Sequence, residues 1–222
     1  EVKVFIPTRE QGYGLNKEGV EVLKKEGASL IITIDLGVRN IEEVKFAHHN
    51  NIDVIVVDHH EVGTHLPECI VLDPKQRGDK YPFKELAATG VVFKLLQALS
   101  TKLSKINPAY LKWSLDLVAI STICDVVPLT LENRIFAKFG LIVLQKTKRI
   151  GLQELYKKAA INPENIDTYS VGFQIGPRLN APGRMDHANE SFYLLVSKNP
   201  KQAGELADRL DRINRRRQAE LD

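Results

Sequence analysis

The chain has 222 residues, with 31 Lys and Arg against 28 Asp and Glu, a net charge of +3, 43% apolar and 27% charged residues. These proportions belong to a globular protein with its own core and exclude an intrinsically disordered chain. No run approaches the ~18 consecutive apolar residues of a membrane span, and the small positive charge permits a polyanionic partner without requiring one.

In chain order, Val2–Ile6 (VKVFI) predicts a strand. Lys17–Glu26 predicts an amphipathic helix with Val20, Leu23 and Val22 toward its inner side and Gly27 as its stop. Leu30–Ile34 (LIITI) and Asp53–Val57 (DVIVV) are continuous β-rich runs of the kind buried on both faces of a parallel sheet. Between them a helix from Ile41 to His49 takes Asn40 as N-cap, and Cys69–Leu72 predicts a short third strand. Strands alternating with helices at a spacing of ~20–25 residues predict a doubly wound α/β layer.

From Glu85 the periodicity becomes helical, over Glu85–Ser100, Pro108–Cys124, Glu132–Gln145 and Gly151–Ala160. Gly172–Gly183, rich in Gly, Pro and Asn, predicts a functional loop or a buried turn. Asp186–Val196 and Pro200–Asp222 predict two more helices, the last polar on most faces. The expected fold class is therefore α/β: a mostly parallel, Rossmann-like sheet flanked by helices over about 1–84, followed by a helical half over about 85–200. No Pro/Ser/Gly linker separates the halves, so the helices are expected to pack onto the same sheet, and no internal repeat is present. Cys69 and Cys124 form no C-x-x-C pair, which argues against a disulfide framework and for a reducing compartment. The chain opens without the tripartite pattern of a signal peptide, so the expected location is cytoplasmic.

Two acids stand at the ends of the buried strands. Asp35 follows LIITI and precedes Leu36-Gly37; Asp58 follows VIVV and precedes His59-His60. Ligands of open parallel sheets bind at the carboxyl ends of strands, so both acids point toward one crevice. Two imidazoles and a carboxylate directly after a buried strand suit Mn²⁺, Zn²⁺ or Fe²⁺. Asp125 ends an apolar helix, where the helix dipole disfavours a carboxylate; Arg134 or a metal ion would compensate it. A strand-end Asp taken alone is more often a turn former. His48-His49 reads as an exposed pair in the last turn of a helix, and His65 lies in a loop.

In Ile175–Arg184, Arg178, Asn180 and Arg184 alternate with Gly and Pro, and His187 follows. Glycine permits close backbone approach and Arg forks bind phosphate bidentately, while salt bridges to Asp186 or Glu190 are the structural alternative. Arg209, Arg212, Arg215, Arg216 and Arg217 could track phosphates; Asp208, Asp211 and Glu220 at helical spacing favour a salt-bridged, solvated helix. No motif for sequence-specific recognition of nucleic acid is present.

Together these segments resemble the DHH phosphoesterase superfamily in its RecJ branch. VVDHHEVG (Val56–Gly63) is similar to the family signature and ITIDLG (Ile32–Gly37) to the aspartate motif before it. IPTREQGYGLN (Ile6–Asn16), ATGVVFKL (Ala88–Leu95), ICDVVPLTLENR (Ile123–Arg134) and IGPRLNAPGR (Ile175–Arg184) resemble RecJ-type blocks in the same order. The resemblance implies a DHH core over 1–200 and, around INRRRQ (Ile213–Gln218), a connector helix over 201–222 toward a DHHA1-type domain that the sequence lacks. A first aspartate-rich motif is also lacking, so the chain is expected to be a core from a longer protein, with weak or no turnover by itself. The implied activity is metal-dependent phosphodiester hydrolysis, a 5′→3′ exonuclease on single-stranded DNA in repair and recombination. It implies Mn²⁺ or Mg²⁺, two ions ~3.5–4 Å apart in the complete protein. The implied ligands are Asp35, His59 and Asp125, with Asp58 and His60 ligating metal or orienting the scissile phosphate. Arg184 would stabilise developing charge, so the implied catalytic set is Asp58, His60 and Arg184, and Arg178, Asn180, Arg184 and His187 would hold phosphates. Single-stranded DNA is the implied substrate, with a single-strand-binding or other repair protein as a further partner and no membrane contact. The competing expectations are a superfamily phosphoesterase acting on oligoribonucleotides, cyclic dinucleotides or pyrophosphate, and a non-catalytic single-strand-binding replication scaffold. The retained acids and histidines favour an enzyme, and IGPRLNAPGR favours the RecJ branch.

Overall fold

The computed structural model describes residues 2–185 and 188–220. The chain forms two compact units, Glu1–Lys105 with Leu131–Asn133, and Ile106–Thr130 with Arg134–Asp222.

In the first unit β1 (Leu30–Ile34), β2 (Asp53–Val57) and β3 (Ile70–Leu72) form a parallel sheet in the order β1-β2-β3. Leu30 lies opposite Asp53, Ile34 opposite Val57, and Val57 opposite Leu72. Side chains alternate across a strand. Ile31, Val54 and Val56 therefore share one face, buried with Val20 of α1 (Lys17–Lys25) and with Val44 and Ala47 of α2 (Ile41–His49). The expectation that LIITI is buried on both faces is corrected: Leu30, Ile32 and Ile34 are about half exposed. β-branched residues are favoured by strand geometry as well as by burial, so composition alone overstated the burial of β1, one of the two edge strands among the described residues.

Val2–Ile6 is likewise not a strand; among the described residues it pairs with no sheet edge, and Val2 and Val4 are exposed. Phe5 instead packs on α1, where a Cβ on Gly19 would lie 2.6 Å from its ring. α1 is capped by Asn16, whose Oδ1 accepts from Gly19 N–H at 2.7 Å, and it buries Val20 while Val22 faces outward. Asn40 holds the N-cap position of α2 without a capping hydrogen bond. Its amide clamps Leu15 instead, accepting from Leu15 N–H at 3.1 Å and donating to Leu15 C=O at 3.0 Å. His48 and His49 close α2 as an exposed pair.

α3 (Ala88–Lys102) starts three residues later than the periodicity suggested and contacts β1 and β2, as expected of a helix laid on the sheet. The division between the two units falls after α3. Leu131–Asn133, the first residues of α5 (Leu131–Gln145), are tied into the first unit. Tyr81 O–H donates to Glu132 at 2.7 Å, Lys94 pairs with the other Glu132 oxygen, and Asn133 donates to Glu85 C=O.

The second unit is helical: α4 (Pro108–Cys124), the rest of α5, α6 (Ile150–Lys158), α7 (Gly176–Met185), α8 (Asn189–Val196) and α9 (Pro200–Ala219). Its core contains Ala119, Leu144, Leu152, Leu155, Ile175, Leu194 and Leu210. Gly151 lets α6 press against the Leu194 carbonyl, where any side chain would collide. α9 is more than a polar connector: it buries Ala203, Ala207, Leu210, Asp211 and Asn214 against α6, α7 and α8. Asp116 is buried in α4 and accepts from Thr147 Oγ1 at 3.1 Å and Arg149 Nε at 2.8 Å.

Gly172–Gly183 is not a loop. Ser170–Ile175 is a π-helical turn that runs into α7. α7 follows the π-helical turn directly, and Pro177 and Pro182 lie within it, so both prolines sit inside continuous helical backbone. Gly176 serves packing, because its bare Cα sits against Cys124 Sγ. Glycine and proline, read as turn signals, here lie within helical backbone, with Gly176 marking a close contact.

Candidate metal centre

Asp35, Asp58 and Asp73 are the residues that follow β1, β2 and β3. Parallel strands bring their carboxyl ends to one edge, so three carboxylates gather there. The ladder continues one residue past each strand: Asp35 N–H donates to Val57 C=O at 3.0 Å, and Asp58 N–H to Leu72 C=O at 3.1 Å. Asp35 then turns through the left-handed region at φ 66°, which Asp tolerates better than most residues. Gly37 follows at φ 115°, where a Cβ would come 2.5 Å from Thr33 Oγ1. Leu36 packs against the sheet core.

One carboxylate oxygen of Asp35 and one ring nitrogen each of His59 and His60 lie within 4.8 Å of one another. His59 is buried and its Nε2 is 3.2 Å from Asp35 Oδ1; Asp35 is half exposed, so the cluster opens to solvent. Asp58 stands outside this donor set and beneath it. It is 1% exposed. Its Oδ2 accepts from Val38 N–H at 3.1 Å; its Oδ1 accepts from His59 N–H at 2.8 Å and meets His60 Nδ1 at 2.6 Å. A carboxylate cannot donate, so His60 Nδ1 carries the proton and Nε2 keeps its lone pair. Asp58, expected to ligate metal or orient phosphate, here pins the turn after β2 to the turn after β1 and sets the His60 tautomer.

Two residues of this site escaped the sequence reading. Tyr13 donates its O–H to the Asp35 carbonyl and sits 3.3 Å from His60 Nε2, with its ring edge-on to the imidazole at 5.8 Å. Nothing local to Tyr13 indicates this. Asp73 could have been found by the strand-end rule that found Asp35 and Asp58. It is buried; its Oδ1 accepts from Lys75 N–H at 2.8 Å and its Oδ2 has no partner. Burial is the largest influence on Asp73 and raises its pKa, and the Asp58 charge adds to that, against the Lys75 N–H and His59. A buried carboxylate oxygen without a donor, beside a second carboxylate, calls for a cation. The donor set of one carboxylate and two imidazoles, open on the solvent side, fits Mn²⁺, Fe²⁺ or Zn²⁺ and leaves positions for water or substrate.

The other expected residues belong to the second unit. Asp125 is the C-cap of α4 and is exposed, which corrects the premise of a buried helix end; its N–H donates to Ser121 C=O at 2.9 Å. Val126 beyond it takes φ 57°, unusual for a β-branched residue. Cys124 is exposed as a residue; its Sγ faces the Val171 carbonyl, and burial of the thiol, then the Asp125 charge, pushes it up to about 11. Arg178, expected as a phosphate fork, is held in the fold: Nε donates to Asp211 at 2.9 Å and Nη1 to Gln174 C=O at 2.9 Å. Asn180 and Arg184 are exposed and line an open groove. His187 lies outside the described residues. In α9, Arg209, Arg212, Arg215 and Arg216 pair with Glu190, Asp208, Asp211 and Glu220, the solvated arrangement that helical spacing favoured.

A parallel sheet whose strand ends present carboxylates and paired histidines belongs to the class of α/β folds that can hold a divalent metal ion at the strand ends. The family model described as DHH family, N-terminal domain, matches residues 1–122, and the chain belongs to the DHH family. It is 45% identical over 220 residues to the single-stranded-DNA-specific exonuclease RecJ of Bacillus subtilis (strain 168), covering 98% of this chain and 27% of that protein. To the RecJ of Escherichia coli (strain K12) it is 37% identical over 227 residues, covering 97% of this chain and 39% of that protein. Among solved structures, an exonuclease RecJ bound to manganese superimposes with a TM-score of 0.86 at 35% identity, covering 97% of this chain and 54% of that one. RecJ from Thermus thermophilus in complex with Mn²⁺ gives a TM-score of 0.80 at 33% identity, covering 92% of this chain and 30% of that one. The chain thus spans well under half the length of these curated relatives. Among the described residues no helix is long and apolar enough to cross a membrane.

Proposed function

We propose that this chain is the core of a metal-dependent 5′→3′ exonuclease that hydrolyses phosphodiester bonds of single-stranded DNA in repair and recombination, in the cytoplasm. The observation that carries the reading is the convergence of Asp35, His59 and His60, with Asp58 locked behind them, in a chain similar along its length to single-stranded-DNA-specific exonucleases. Asp35, His59 and His60 would hold Mn²⁺ or Mg²⁺, and the family motif adds Asp125 as a ligand. A bound divalent ion polarises the phosphate and lowers the pKa of water at the site.

The chain's own residues prepare the site. Asp58 holds the His60 Nδ1 proton, which aims the Nε2 lone pair outward. Tyr13 steadies the Asp35 backbone, and the Gly37 turn sets the carboxylate angle. Arg184 and Asn180, both exposed, donate to phosphate oxygens, Arg184 opposing charge that builds on the phosphate during hydrolysis. His187, three residues beyond the segment, would add a donor, whereas Arg178 supports the segment through Asp211.

Calorimetric titration with Mn²⁺ tests the reading. The chain binds Mn²⁺ saturably and His59→Ala does not; the Mn²⁺-loaded chain, if it turns over, releases mononucleotides from the 5′ end of labelled single-stranded DNA. Absence of binding in the wild type, or equal binding in the variant, overturns it.

A further inference from the structure

The second unit carries an open groove of about 870 Å³ with aromatic and basic residues on its walls. Tyr169, the residue before the π-helical turn, and Phe173 within it are stacked, ring centroids 4.9 Å apart and planes 27° from parallel. Both remain largely exposed, at 61% and 67%. Two adjoining aromatic rings left in solvent on a groove wall form an exposed apolar patch of the kind that marks a binding groove.

Arg184 and Arg217 line the same groove. Among the described residues neither makes an ion pair, although four other arginines of α9 do. Arg217 is half-buried; Nη2 donates to Asn214 Oδ1 at 3.2 Å, and the buried Nε has no partner. The charge of the chain is also uneven. The unit with the groove holds seventeen Lys and Arg against twelve Asp and Glu; the other holds fourteen against sixteen. An apolar protein face docked here would desolvate two unpaired guanidiniums, which is costly. A single nucleic-acid strand supplies what each wall lacks: flat bases for the rings and phosphates for the guanidiniums.

We propose that Tyr169 and Phe173 form a base-stacking platform for single-stranded DNA, with Arg184 and Arg217 holding the adjoining phosphates. The proposal rests on the reading that the chain acts on single-stranded DNA, and it names one physical source of the preference for single strands. A duplex keeps its bases stacked on one another and offers the rings nothing, whereas an unpaired base stacks directly.

The test uses this chain in EDTA, which removes any hydrolysis, with a 12-nucleotide oligothymidylate and an abasic oligonucleotide of equal length. Tyr169→Ala and Phe173→Leu weaken binding of the oligothymidylate roughly 5- to 100-fold, the range for loss of one base stack, and change abasic binding less than about twofold. Arg217→Ala weakens both and lowers the salt slope by about 1. An oligonucleotide carrying 2-aminopurine reports stacking directly: its fluorescence is quenched by the wild type and recovers in Phe173→Leu. Unchanged melting temperatures show that the variants are folded. Equal binding of both oligonucleotides by wild type and aromatic variants, without loss of quenching, overturns the platform and leaves the single-strand reading standing. A wild type that binds neither overturns both. Aromatic variants that only shift sedimentation from dimer to monomer assign the patch to a second copy of the chain and overturn the platform.

Discussion

Replacing Asp58 by Asn keeps its shape and removes one acceptor and the charge. Asp58 receives Val38 N–H on one oxygen, and His59 N–H and His60 Nδ1–H on the other, at 1% exposure. With the amide oxygen turned to the histidines, the amide nitrogen faces Val38 N–H, donor against donor. With the amide reversed, His60 Nδ1–H loses its acceptor and the imidazole shifts tautomer or swings away. The first arrangement leaves a buried donor unsatisfied, costing about 1–3 kcal/mol. It also weakens hydrogen bonds that were charge-assisted, which are roughly twice as strong as neutral ones. Together the loss is about 2–4 kcal/mol, or a melting temperature lower by roughly 5–15 °C. Because His60 is less well oriented, Mn²⁺ affinity falls by roughly 10- to 100-fold while binding persists. Calorimetry for the metal and circular dichroism for melting read both effects. Asp58→Asn with wild-type Mn²⁺ affinity would refute the positioning role. A complete loss of binding, equal to that of His59→Ala, would show that Asp58 is itself a ligand.

Three more outcomes follow from buried charge. Burial raises the Asp73 pKa, so its ionised form burdens the metal-free fold above the ordinary carboxylate range, and the stability it supports is lost as pH rises through its folded value. Asp73→Asn therefore melts higher than wild type at pH 7 without metal. The gain shrinks toward pH 4 and narrows when Mn²⁺ is added; a variant that melts lower at pH 7 refutes this. Asp211 accepts from Arg178 Nε and Arg215 Nε at 2.9 and 2.8 Å, so Asp211→Ala strands a largely buried Arg178 and costs about 3–5 kcal/mol in urea unfolding, whereas a surface pair would cost under about 1 kcal/mol. Cys124 is an exposed residue with its thiol pushed up to about 11, so in the folded chain it alkylates slowly at pH 8 and faster as pH rises toward 11. Its raised value also means that stability from keeping the thiol neutral is intact below pH 8 and declines as pH approaches 11; rapid modification of the folded chain at pH 8 would contradict this placement.

Much of the fold is legible in local patterns. β1, β2 and α4 occupy the residues that LIITI, DVIVV and the Pro108–Cys124 periodicity mark out. Strand runs are set by β-branched residues, and α4 by Pro at its first turn beneath an Asn107 cap. The heart of the site is legible for the same reason. His59 and His60 directly follow Asp58, and parallel pairing brings Asp35 beside them once both strands are recognised.

What the chain's tertiary structure alone decided is partnership. Asp58 and His60 are two residues apart, yet only the approach of Val38 and the bend of the turn place one carboxylate oxygen on the His60 ring and the other on a backbone N–H. Tyr13 reaches Asp35 across 22 residues and His60 across 47, distances over which no periodicity speaks. Arg178 and Arg184 look alike in a Gly- and Pro-rich segment; that segment is a π-turn and helix, and it turns Arg178 toward Asp211 and leaves Arg184 in the groove. Hydrophobic period and turn chemistry act over a few residues and are written in sequence order. Burial, hydrogen-bond partners and the exposure of a stacked aromatic pair depend on which segments meet in space, so they emerge only when the chain has packed.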